Sequence, residues 1–316
     1  CQWVSTQTMP QISVHVSMLQ SVVANAKVKD LQRINHLVKT VHEYADIGIR
    51  VYPVKSLAWV CWFDASWCSR EDGSSQGGYV ICATEKEAIN GSTQKFGVTI
   101  AASKKLPRKC RSSLGAEVQA ASEASEELEY VQSVWCEIMD GHIFLKGPER
   151  VAQLRSGPPS VLVTDCKSLY DAVTGSESSA LGLSDKRAAI ECMAFKEGLD
   201  AMNAVLRWVH SHAQVADGCT KIKFEAQKLL AYFMARGSWT LIHDPNFERA
   251  RKRGAKGLDI FEYTKETGEN IGMFSESDTN PGKSHFQPEE GHHDPKANMS
   301  FETVSVSDRP VFPVPS

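Results

Sequence analysis

Four acidic residues stand in sequence contexts that a fold could bring together: Asp64 in FDASW, Glu117 in RSSLGAEVQA, Asp165 in VTDCKSLYDAV and Asp217 in RWVHSHAQVADGCTK. Each has an ordinary explanation when taken alone. Asp64 and Asp165 suit strand ends, Glu117 suits a first helical turn where its charge meets the helix dipole, and Asp217 suits an N-cap. Together they suit a different chemistry. Carboxylates a few ångström apart in partly desolvated surroundings cannot all stay ionised without cations. Hard oxygen donors with open positions favour Mg2+ or Mn2+. Two such ions about 3.5 to 4 Å apart activate a water and stabilise the leaving oxygen of a phosphodiester in an in-line displacement.

The elements that must position these acids follow from the apolar patterning. Leu57–Phe63 (LAWVCWF) is a short, nearly continuous apolar run, hence a buried strand ending on Asp64. Gly77–Thr84 and Lys95–Ala102 are two further strands joined through the turn-like Asn90, Gly91 and Ser92. A long helix is expected from Ser113 to Ile138, capped by Ser112 or Ser113, with Glu117 near its start. Pro159 precedes a fourth strand, Ser160–Thr164, which ends on Asp165. A short helix at Ser168–Val173 comes next, then a longer one capped by Ser184 and reaching Leu199, and a fifth strand at Ala204–Val209. Asp217 then opens a last helix that runs to about Ala235. The expected fold is α/β: a five-stranded mixed sheet with helices on both faces, in the order β-β-β-α-β-α-α-β-α.

Around this segment, 55–236, lie two others. Residues 1–54 show two amphipathic helical patterns, Ile12, Val16, Leu19, Val22 and Val23, then Leu31, Ile34, Leu37, Val38 and Val41. Residues 237–316 lose apolar periodicity and close on Pro310, Pro313 and Pro315, which predicts a low-complexity, largely disordered tail. The chain has 316 residues, 42% hydrophobic and 23% charged, which is ordinary globular usage. A net charge of -3 argues against nucleic-acid binding by bulk charge, so any such contact must be local and metal-assisted. The nine cysteines are odd in number and widely spaced, with no C-x-x-C clip. A zinc finger is therefore disfavoured. Cys61, Cys82 and Cys166 lie in apolar runs and are expected to be buried free thiols of a reducing, intracellular compartment, a cytoplasmic particle or the nucleus. No stretch approaches the ~20 apolar residues of a membrane span, so no membrane partner is expected. The chain begins with Cys1 rather than Met, as a piece of a longer protein would.

The four acid-bearing motifs resemble those of the ribonuclease H domain in the Pol polyprotein of copia-type LTR retrotransposons. The combination SS-x-x-AE, then TD-x-x-S, then Q-x-AD-x-x-TK is far more specific than any single acid, and the resemblance spans about Leu57–Arg236. The stretch WVSTQTMPQIS in the first 54 residues resembles the end of the reverse transcriptase region and its tether. No Y-x-DD polymerase motif occurs in the chain.

The resemblance implies a ribonuclease H-like fold and an endonuclease that cuts the RNA strand of an RNA–DNA hybrid. It implies two divalent ions, Mg2+ or Mn2+, with Asp64 bridging them, Glu117 and Asp165 on one side and Asp217 on the other. Its natural partner would be the reverse transcriptase domain of the same polyprotein. Hybrid recognition would use the minor groove and 2′-hydroxyls, with Gln76, Ser112, Ser113 and Lys167 as candidate contacts; Ser112 and Ser113 serve equally as helix caps. His210 and His212 precede Asp217, where related enzymes carry a histidine that assists proton transfer or product release, and spacing favours His212. A histidine at a strand exit is otherwise a solvated polar residue. Trp208 fits core packing better than base stacking. Lys104, Lys105, Arg108, Lys109 and Arg111 form a basic run beside the acids, and Arg249, Arg251, Lys252, Arg253 and Lys256 a second one; each tracks phosphates or is a solvated face. The rival to the nuclease is a catalytically silent relic or nucleic-acid-binding module that keeps the fold. An integrase or exonuclease fits the Q-x-AD-x-x-TK ending less well.

Overall fold

The structure, a computed structural model, describes residues 1–141, 146–175 and 182–241. The basic cluster at 249–256 and the proline-rich end of the chain lie outside these residues.

The centre is a mixed sheet of β1 (Leu57–Ser66), β2 (Gln76–Glu85), β3 (Gln94–Lys105), β4 (Ser160–Thr164), β5 (Ala204–Trp208) and β6 (Ser238–Trp239), ordered β5-β4-β1-β2-β3-β6. Strands β1, β2 and β3 pair antiparallel in succession, and β1, β4 and β5 pair in parallel. The expected five strands therefore become six. The sixth is a two-residue edge piece, Ser238 and Trp239 against Lys95 and Gln94, too short to leave a periodic signature in the sequence. Strand β1 also runs past its expected end: Asp64 pairs with Gly78 inside the strand instead of terminating it, because β2 starts early enough to continue the ladder to Ser66.

Around the sheet lie α1 (Gln2–Gln7), α2 (Ser13–Gln20), α3 (Val28–Glu43), α4 (Ser113–Asp140), α5 (Gly147–Ser156), α6 (Lys167–Thr174), α7 (Lys186–Ala201), α8 (Asp217–Thr220) and α9 (Phe224–Arg236). Helix α7 is capped by Asp185, whose carboxylate accepts from the Arg187 and Ala188 amides, rather than by Ser184. Helix α5 was not expected from the sequence. The single helix expected after Asp217 is two, α8 and α9, separated by extended backbone at Lys221–Lys223.

Alternation along β1 divides the interior. Trp59, Cys61 and Phe63 point into one core with Val118, Ala121, Ala124 and Leu128 of α4 and Phe195 of α7. Val60 and Trp62 point into the other, with Val215, Cys219, Leu230 and Phe233. Trp62 meets Phe96 and Phe233 at ring-centroid distances of 5.5 and 5.2 Å. Asp64 continues the even-numbered set, which directs it to the face covered by α8 and α9.

The N-terminal segment packs onto that same face. Ile12 and Val16 share a core with Leu37, Tyr44 and Ala231 of α9, and His15 meets Gln227. Of the second expected apolar stripe only Leu37 is buried; Leu31, Ile34 and Val38 are exposed, because α3 contacts the rest of the chain along one narrow edge. All nine cysteines are free: Cys61 and Cys82 are buried as expected, whereas Cys166 is only half-buried because it follows the end of β4. No helix among the described residues is long and apolar enough to cross a membrane.

Two consecutive glycines let the sheet be approached closely, Gly78 by α8 and Gly77 by Leu106. A Cβ on Gly78 would stand 2.6 Å from Cys219 Cβ and 3.1 Å from the Ala102 carbonyl oxygen, and one on Gly77 would stand 2.5 Å from Leu106 Cδ2. Overpacking of this kind costs about 1 to 3 kcal/mol. Gly78→Ala is accordingly expected to lower stability by that amount in urea unfolding; an unchanged midpoint would show that α8 is not held against β2.

Candidate active site

The four acids come from four elements and approach one another at one end of β1. Asp64 comes from β1 and Glu117 from the second turn of α4, while Asp165 follows β4 and Asp217 opens α8. The parallel β1/β4 register runs to Trp62 opposite Val163, two residues short of Asp64 and Asp165, so these two leave neighbouring strands side by side. Asp64 is 1% exposed and Glu117 is 9% exposed. Glu117 feels the charges of both Asp64 and Asp165, and Asp217 feels the same two.

Local bonds hold each element in place. Ser112 caps α4 by accepting from the Gly115 amide at 3.1 Å, which fixes the turn ahead of Glu117. The indole of Trp208 donates to the Asp165 carbonyl oxygen at 3.1 Å, so this core tryptophan anchors the backbone of an acid. Gln214, fully buried, donates its amide to the Phe63 carbonyl at 3.0 Å and accepts from the Ala216 amide at 3.3 Å. The glutamine of the Q-x-AD motif thus ties the Asp217 turn to the strand residue before Asp64. Thr220 donates its hydroxyl to Asp64 Oδ2. The Lys221 ammonium lies 2.6 Å from Asp217 Oδ1 and 3.6 Å from Asp64 Oδ1.

Electrostatics follow from this crowding. Burial raises the Asp64 carboxyl above its ordinary value, with Asp165 adding to the rise and Lys221 and Thr220 opposing it. Burial and then Asp64 push Glu117 well above the usual carboxylate range. Burial and Asp64 likewise push Asp217 up to about 8, against the pull of Lys221. Burial alone would lower Lys221, but Asp64 and Asp217 together hold its ammonium above its ordinary value.

The donor chemistry fits divalent cations. Glu117 Oε2 is buried without a hydrogen-bond partner, an unusual position for a carboxylate oxygen and one that a cation would satisfy. The side chains are not closed around an ion, however: among the described residues no three His, Cys, Asp or Glu side chains surround one ion-sized point. The Lys221 ammonium and the Thr220 hydroxyl already engage both oxygens of Asp64.

The other expected contacts are dispersed. Gln76 is a correction: it has no exposed surface, and its amide is spent on Ser17 Oγ at 3.0 Å, Ser103 Oγ at 2.8 Å and the Arg70 guanidinium, so it ties α2 to the sheet and has no edge left for a ligand. The Ser112 hydroxyl is committed to its cap, while Ser113 is exposed at the start of α4. Lys167 pairs with Asp171 and lies 5.5 Å over the Tyr170 ring. His212 is exposed on the turn after β5, its ring edge-on to His210 at 4.8 Å.

Much of the first basic run is paired internally: Lys104 with Glu123 at 3.0 Å, Lys105 with Asp72, Arg108 with Glu191, and Lys109 with the Asp72 carbonyl. Arg108, Lys109 and Arg111 line a cleft with Asp185 and Arg187 at the start of α7. Arg187 is not singled out in the sequence. Thr220 and Lys221 are the last two residues of the Q-x-AD-x-x-TK motif, to which the sequence alone gives no role, although they stand three and four residues after Asp217, one helical turn away.

No family model matches the chain, and no curated protein matches it. The chain is similar to the solution structure of the PFV RNase H domain, covering 58% of this chain and 95% of that one at 15% identity and a TM-score of 0.32. It is also similar to the foamy viral protease-reverse transcriptase in complex with RNA/DNA hybrid, over 56% of this chain and 21% of that one at 12% identity and a TM-score of 0.32. A further match is the same enzyme's structure in complex with dsDNA, over 60% of this chain and 99% of that one at 14% identity and a TM-score of 0.27.

The raised carboxyls have a measurable consequence. A carboxyl whose folded value lies above its unfolded value binds more protons when folded, so stability is full below the ordinary carboxylate value and is lost as pH rises. For Asp217 that window runs from 3.8 to about 8. In EDTA, the melting temperature is expected to fall as pH rises through this window, and Asp217→Asn should flatten the fall. A flat wild-type profile would contradict the burial of the cluster.

Proposed function

We propose that the chain is a metal-dependent endonuclease of the ribonuclease H type, hydrolysing the RNA strand of RNA–DNA hybrids and derived from the Pol polyprotein of a copia-type retrotransposon. The observation that carries this reading is the convergence of four carboxylates from four elements, with Glu117 Oε2 buried and without a partner. The order of the motifs along the chain and the antiparallel-then-parallel sheet that presents them both support it.

In this reading Asp64, Glu117, Asp165 and Asp217 would hold two Mg2+ or Mn2+ ions. When bound, such ions supply an activated water and charge stabilisation for the leaving oxygen. The chain's own residues set the stage. Asp64 is fixed by the β1/β2 ladder and by Thr220, Asp165 is fixed by Trp208 through its backbone, and Gln214 keeps the Asp217 turn beside β1. His212, exposed beside this turn, would assist proton transfer or product release in this reading. The exposed Ser113, with Lys167 and Arg111, would contact the hybrid backbone. The reverse transcriptase domain of the same polyprotein is the proposed neighbour.

One observation favours the rival, a silent module that binds nucleic acid: a lysine ammonium already bridges the carboxylates that the ions would use. One experiment separates the two readings. The full chain is incubated with a labelled RNA–DNA hybrid in Mg2+ or Mn2+, against EDTA. RNA-strand cutting that requires metal and falls by at least about a hundredfold in Asp64→Asn and Asp165→Asn, the size of one lost transition-state contact, is expected. Retention of intact hybrid by folded wild-type protein in both metals would favour the binding module.

A further inference from the structure

Lys221 is a half-buried cation that the scheme above leaves without a role. It follows the last residue of α8, where the chain turns extended, and its ammonium reaches back to the carboxylate four residues earlier. It contacts Asp217 at 2.6 Å and Asp64 at 3.6 Å, side chains that are 15% and 2% exposed. Both carboxylates are among the four proposed above as metal ligands. The other oxygen of Asp64 takes the Thr220 hydroxyl, so the α8 turn engages that carboxylate from both sides. Meanwhile Glu117 Oε2 is buried without a partner, and among the described residues no three acidic, histidine or cysteine side chains enclose an ion-sized point. The cation that two of the carboxylates do have is an ammonium.

We infer that Lys221 is the resident counter-cation of the carboxylate pocket, which holds Asp64 and Asp217 together until a divalent ion displaces it, and which thereby sets the metal affinity of the site. This rests on the reading of the carboxylates as metal ligands. An ammonium is a compact point charge with three donors on a flexible four-carbon stem, so it substitutes for a hard cation between two carboxylates and can withdraw without moving the backbone. Two cations that exclude one another are negatively coupled, and each weakens the other by the same factor. Lys221 is therefore a positioning residue whose removal tightens metal binding while loosening the metal-free fold.

The test uses the full chain as wild type, Lys221→Met, Lys221→Arg and Asp165→Asn, each titrated with Mn2+ by calorimetry and melted in EDTA at alkaline pH. Lys221→Met is expected to bind Mn2+ roughly tenfold more tightly than wild type, within the usual range of coupling between sites, and to melt lower in EDTA. Lys221→Arg keeps the charge and should restore both values. If Lys221→Met does not fold, Lys221→Gln, purified with Mn2+ present, carries the same expectation. Equal or weaker binding by the neutral variants, with wild type binding Mn2+ and Asp165→Asn impaired, would overturn the role of Lys221 and leave the metal site standing. No Mn2+ binding by any variant, wild type included, would overturn both.

Discussion

Asp64 has almost no exposed surface, and a carboxylate taken that far out of water must find compensation close by. Its neighbours make the demand larger. Asp165 leaves the adjacent strand beside it, Glu117 reaches it from α4, and Asp217 reaches it from α8. Hydrogen bonds from Thr220 and the ammonium of Lys221 answer part of this concentration of like charge. The partnerless oxygen of Glu117 shows that they do not answer all of it. A fold that gathers four carboxylates beside a two-sided apolar core places its strongest like-charge repulsion where chemistry would use it.

The sheet makes this concentration possible. Parallel pairing of β1 with β4 brings two acids to one edge, and the antiparallel β2 supplies Gly78 where α8 must come within van der Waals contact. The N-terminal segment adds to the same construction. Through Ser17 it joins the buried Arg70, Gln76 and Ser103 network, and Ser103 donates onward to the Cys219 carbonyl in α8. Residues far from the acids in sequence thus brace the turn that carries Asp217, Thr220 and Lys221.

The strands and the long α4 helix were legible in the sequence because their apolar runs are long and bounded by polar or glycine-containing segments. The convergence of the acids was legible from where they sit on those elements. What was not legible depends on tertiary contacts. Gln76 looks like a polar residue at a strand start, and only the packing of α2 over β2 shows that it is buried. Strand β6 is too short for periodicity, and α5 has its one buried leucine, Leu154, in an otherwise polar stretch. The break between α8 and α9 has neither proline nor glycine to announce it. The exposed stripe of Leu31, Ile34 and Val38 matches the pattern of a buried face, since periodicity reports amphipathicity and not what covers it.

In the proposed reading the carboxylates bind divalent cations, and the Lys221 ammonium stands where one would bind. Crystals of the full chain grown with Mn2+ and measured at its absorption edge test this directly. Anomalous density beside Asp64 and Asp217, with the Lys221 ammonium displaced from both carboxylates, is expected. A pocket without anomalous density, with Lys221 still seated on Asp217 under saturating Mn2+, would contradict it.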